Sequence, residues 1–135
     1  MASGVHPGCV LLGHHHQRLS EGLRDVLQAS FDGVFMVANR PSLIEGARRL
    51  QPALVVVDLA LAEGRLADLM ADLRRQAPSS RTLVLSDHDD PHADAAMLDA
   101  GAAGVVHNAS LAIDLSNAVD AVLAGERFGS APDAD

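Results

Sequence analysis

The chain has 135 residues, 48% of them hydrophobic, with Phe31, Phe35 and Phe128 as its aromatics, so one domain with a core of Leu, Val, Ile and Ala is expected. A formal net charge of −8, ten scattered arginines and no lysine exclude a clustered cationic surface for nucleic acid and any lysine-dependent chemistry, such as a phosphate loop or a Schiff base. One cysteine, Cys9, excludes an internal disulfide; with no apolar window of about 18 residues and no basic-led signal segment, a cytoplasmic protein without a membrane span is expected.

Residues 8–12 (GCVLL) read as a first strand. Leu19, Leu23, Val26 and Leu27 then recur at i, i+4, i+7 and i+8, which predicts a helix over 18–29. Gly33–Val37 reads as a second strand, and Pro41-Ser42 opens a second helix. Ser42 and Glu45 have capping-box spacing, and Leu43, Ala47 and Leu50 are expected on its buried face. Residues 52–57 (PALVVV) are continuously apolar, as a parallel strand buried on both faces should be, and the run ends on Asp58. Leu66, Leu69, Met70 and Leu73 mark a third helix. Thr82–Leu85 is a fourth strand, ending on Ser86. Asp90 as N-cap and Pro91 at the first position open a fourth helix, with Ala93, Ala96, Met97 and Ala100 expected inside and Gly101 at its end. Ala103–Val106 is a short fifth strand, and Ser110 caps a last helix through Leu115, Val119, Val122 and Leu123 to Gly125. Residues 129–135 (GSAPDAD) read as a linker or flexible tail. Five strand–helix units predict an α/β fold, a doubly wound five-stranded parallel sheet with five helices, over residues 8–128.

In such sheets ligands bind beyond the carboxyl ends of the strands. The residues expected to converge there are His14, His15 and His16 after the first strand, Asp58 after the third, Ser86-Asp87 after the fourth and His107-Asn108 after the fifth. A dinucleotide fingerprint, a phosphate loop and a GxSxG elbow are all absent.

With these anchors in order, the chain resembles the receiver domain of bacterial response regulators, in particular the NarL/FixJ (LuxR-type) group. Residues 11–24 (LLGHHHQRLSEGLR) resemble that group's LLADDHPLVREGLR, and residues 52–59 (PALVVVDL) resemble PDLVLLDL. Residues 83–91 (LVLSDHDDP) resemble LVLSMHDDP, while residues 100–104 and 121–126 resemble AGAxG and AVLAGE. The resemblance spans roughly residues 8–128 and implies a flavodoxin-like, CheY-like fold and a role as a signalling module rather than an enzyme.

It also implies roles for individual residues. Asp58 stands at the phosphoacceptor position and Ser86 at the position that hydrogen-bonds the phosphoryl group. Four places depart from the family pattern. The acidic pair that holds Mg²⁺ aligns with His14 and His15, the lysine aligns with Asn108, the aromatic switch aligns with Val105, and the Pro-Gly after the third strand aligns with Ala62-Glu63. Mg²⁺ is a hard cation that takes oxygen ligands, and neutral imidazoles serve it poorly. Without metal or lysine, an anionic donor approaching Asp58 meets uncompensated repulsion. The expectation is therefore an atypical, pseudo-receiver domain with no resident cofactor and weak or lost Mg²⁺ binding. Its output would be a homodimer or a heterodimer with another regulator. DNA would be reached only through a helix-turn-helix domain not in this chain, and a small-molecule ligand could act at the strand ends. A phosphorylation-competent receiver at Asp58 is the alternative within the family. A metal- or small-ligand-binding α/β protein using His14, His15 and Asp58 is the alternative outside it.

Overall fold

The computed structural model describes residues 6–14, 17–87 and 91–128, with the backbone alone for residues 6, 7, 17–20, 91 and 112. The elements run β1 (His6–Gly13), α1 (Gln17–Gln28), β2 (Phe31–Val37), α2 (Arg40–Leu50), β3 (Leu54–Asp58), α3 (Leu66–Gln76), β4 (Arg81–Ser86), α4 (Pro91–Asp99), β5 (Gly104–His107) and α5 (Leu111–Leu123). Short 3-10 turns follow β3 at Leu59–Ala62 and β5 at Asn108–Ser110. All strand pairs are parallel, and the order across the sheet is β2-β1-β3-β4-β5. This is the doubly wound, five-stranded α/β architecture that the alternation predicts.

Side chains on a strand alternate between the two faces, so each strand feeds two cores. Leu11, Val55, Val57, Val84 and Val105 pack with Leu43, Leu69, Met70, Leu73 and Met97 of α2, α3 and α4. Val10, Leu12, Leu54, Val56, Leu83, Leu85 and Val106 pack with Leu23, Leu27, Leu115, Val119 and Val122 of α1 and α5. Every residue of β3 is buried, which is the reason its apolar run has no polar interruption before Asp58.

Two local expectations need correction. The cap of α2 is Asn39, whose Oδ1 accepts from the Ser42 N–H at 2.9 Å, so the capping box at Ser42 and Glu45 does not form. Glu45 instead accepts hydrogen bonds from Arg48 and Arg49 one turn on. On α4 Met97 is buried and Ala93 and Ala100 pack partly buried against the core as expected, but Ala96 is exposed and Asp94 and Leu98 are buried instead. The Asp90 cap and the tail at 129–135 lie outside the described residues.

One feature had no counterpart in the sequence reading. Phe128, beyond α5, lies parallel to the free edge of β5: its N–H donates to the Ala103 carbonyl at 3.1 Å, and its own carbonyl accepts from the Val105 N–H at 2.7 Å. A Cβ on Gly104 would stand 2.8 Å from Leu83 Cδ1 and 3.0 Å from the Phe128 carbonyl, so this close approach requires glycine.

Candidate functional site

The carboxyl ends of β1, β3, β4 and β5 form one rim. Because β1 sits beside β3 in the sheet, the residue leaving β1 meets the residue that ends β3. His14 is fixed by its backbone N–H, which donates to the Val37 carbonyl at 3.0 Å, and its side chain turns inward, 5% exposed. Its Nε2 lies 3.7 Å from Oδ2 of Asp58, which is itself 4% exposed. That distance is an ion-pair separation when the imidazole is protonated and too long for a hydrogen bond. Asp58 Oδ1 faces the Ala60 N–H at 3.4 Å, at the start of the 3-10 turn.

On the other side of the rim, Ser86 ends β4 and is fully buried. Asn108, where the resemblance places a lysine, donates through Nδ2 to Oδ1 of Asp87, and its own Oδ1 is buried with no hydrogen-bond partner among the described residues. Val105 is 3% exposed and packed in the core beside Val84. After β3, Glu63 adopts a left-handed conformation (φ +52°) ahead of Gly64. The structure therefore brings His14 and Asp58 together, sets Ser86, Asp87 and Asn108 along the same rim, and leaves Val105 beneath it. His15 and His16 lie outside the described residues.

A cleft of about 480 Å³ opens between the loop after β3 and helix α4. Asp58 and Asp87 are at its polar end, and Leu66, Ala93, Ala96 and Met97 form its apolar walls.

Opposite Asp58 the buried imidazole of His14 offers a nitrogen donor, whereas Mg²⁺ takes oxygen ligands. Among the described residues no three His, Cys, Asp or Glu side chains are grouped to hold an ion, and His15 lies outside them.

Sequence reasoning missed a second pair beside this rim. Asp94 of α4 is fully buried, and its Oδ1 lies 3.0 Å from Nε2 of His107, the last residue of β5. The signal was present: Asp94, Met97 and Leu98 stand at i, i+3 and i+4, so a carboxylate occupies the buried stripe.

DevR/DosR of Mycobacterium tuberculosis, a DNA-binding transcriptional activator, is 33% identical over 122 residues, covering 86% of this chain and 54% of that protein. The chain thus spans about half the length of that relative. A two-component response regulator of the LuxR family from Aurantimonas sp. superposes with a TM-score of 0.82 at 25% identity, over 95% of this chain and 92% of the other. The isolated receiver domain of RcsB from Salmonella enterica serovar Typhimurium, in its apo form, gives 0.77 at 25% identity, over 90% and 92%. No family model matches the sequence. Among the described residues no helix is long and apolar enough to cross a membrane.

Proposed function

We propose that this chain, by fold and sequence likeness a response-regulator receiver domain of the NarL/LuxR type, is a regulatory interaction module that ordinary Mg²⁺-dependent phosphorylation of Asp58 does not control. The observation that supports this is His14. Its buried imidazole sits 3.7 Å from the Asp58 carboxylate, at the position where the family resemblance places an Mg²⁺-holding carboxylate. Transfer of a phosphoryl group to a carboxylate needs positive charge fixed between two anions. Here the metal side is a nitrogen donor, and Asn108 replaces the cation on the other side. Asp58 and Ser86 remain, without the charge that would make the reaction fast.

In this reading the domain acts in the cytoplasm through a second subunit, either a copy of itself or another regulator. DNA is reached through a separate domain, in keeping with the longer DNA-binding relative of which this chain spans about half. The cleft beside Asp58 gives a small ligand the place that the phosphoryl group holds elsewhere.

Incubation with acetyl phosphate and Mg²⁺, followed by intact-mass analysis, tests the proposal. Unmodified protein is expected. Stoichiometric phosphorylation mapped to Asp58 would overturn it. The double variant His14→Asp, Asn108→Lys restores one oxygen ligand and the cation, and should gain measurable labelling under the same conditions.

A further inference from the structure

Helix α4 is attached to the sheet unevenly. It has nine residues, too few to persist as a helix without tertiary contacts. Its fully or nearly fully buried side chains are Asp94, Met97 and Leu98. Its carboxyl end is held twice: the Arg127 guanidinium donates to the Leu98 carbonyl at 3.4 Å, and the chain turns at Gly101 with φ +120°. Its amino-terminal half is held by Asp94, whose Oδ1 meets His107 Nε2 at 3.0 Å, while Oδ2 is buried with no hydrogen-bond partner among the described residues. A carboxylate buried to 0% exposure is costly to keep inside without a partner, so its place in the interior depends on His107.

We propose that Asp94 and His107 form a releasable latch that seats α4 on β5, and that α4 is the movable wall of the cleft beside Asp58. Three residues of α4, Ala93, Ala96 and Met97, line that cleft. When the latch opens, the helix swings about its anchored carboxyl end and the cleft widens along its apolar side. His107 precedes Asn108, whose amide holds Asp87 at the polar end of the same cleft. Consecutive residues at the end of β5 thus grip both sides of the cleft. The inference does not depend on whether Asp58 is phosphorylated.

Hydrogen exchange of the full chain, read by mass spectrometry, tests this with His107→Ala, Asp94→Asn and, as control, Asp99→Asn at an exposed position of α4. With His107→Ala, the amides of residues 95–99 should exchange about a hundredfold faster, while those of β1 and β3 keep their wild-type rates. Asp94→Asn keeps an acceptor for His107 and should accelerate α4 less; Asp99→Asn should leave it unchanged. In a Cys9→Ser background, a Met97→Cys thiol should be labelled about tenfold faster when His107→Ala is added, because the cleft wall has moved. Unchanged α4 exchange in His107→Ala overturns the proposal. So does acceleration of β1 and β3 in step with α4, or failure of His107→Ala to fold, since the pair would then hold the whole domain rather than one helix.

Discussion

Two histidine–carboxylate pairs stand on the same rim and differ in what they hold. His14 and Asp58 are both almost fully buried and 3.7 Å apart, on adjacent strands whose backbones are already locked in the sheet. His107 and Asp94 are 3.0 Å apart, within hydrogen-bond distance, and join a strand to a helix of only nine residues. The first pair therefore adds little to the fold, and its effect is on chemistry: it places an imidazole where a cation-binding oxygen would be needed. The second pair adds to the fold, because the position of α4 depends on it. The same two residue types give a chemical block in one place and a mechanical latch in the other, according to whether the elements they join are otherwise fixed.

The largest effect that separates them is expected from His107→Ala. Removing one partner of a buried pair costs about 3 kcal/mol, here drawn from the seating of α4 and read in the exchange of its amides. The corresponding His14→Ala should cost about 1 kcal/mol in a urea melt, since no hydrogen bond of this pair is lost. His14→Asp is more informative. It sets a second carboxylate beside Asp58 and should lower stability by about 2 kcal/mol without divalent cations. Millimolar Mg²⁺ should restore that loss and leave the wild-type melt unchanged; an equal Mg²⁺ response in both would erase the distinction between block and site. Asp58→Asn should shift the melt by about 0.5 kcal/mol or less, since the amide oxygen can still face Ala60.

The exposed pairing on α2 supplies the baseline for acid titrations. Hydrogen bonds from Arg48 and Arg49 lower the Glu45 carboxyl from its ordinary 4.5 to about 2. A lowered carboxylate contributes stability above its unfolded value, and that contribution is lost as pH falls through about 2. Carbon-detected NMR should place the Glu45 midpoint there, with the carboxyl-terminal turn of α2 loosening between pH 4.5 and about 2. Chemical-shift changes of α4 over the same range would have to be separated from this surface event before being assigned to Asp94.

Much of this molecule was legible in one dimension. The uninterrupted run of β3, the helical stripes of α1 and α3 and the positions of Asp58, Ser86 and Asn108 at strand ends follow from where apolar periodicity starts and stops. The capping of α2 was not legible, because Asn39 and Ser42 both suit an N-cap and the choice lies in which oxygen reaches the Ser42 N–H. On α4 only Ala96 was misplaced, because a run rich in alanine has little polarity contrast, and the stripe of Asp94, Met97 and Leu98 becomes readable only once a carboxylate is admitted to a buried face. Nor does the local sequence foretell that Phe128 returns to the edge of β5.

The sequence by itself determined the five strand–helix units, the two-faced core and the residues that end each strand. These depend on burial, which is non-directional and leaves its period in the chain. Only the tertiary structure decided which carboxylate meets which histidine. That required β1 to lie beside β3 and α4 to rotate Asp94 toward β5, and the resulting contacts depend on distance and angle to within tenths of an ångström.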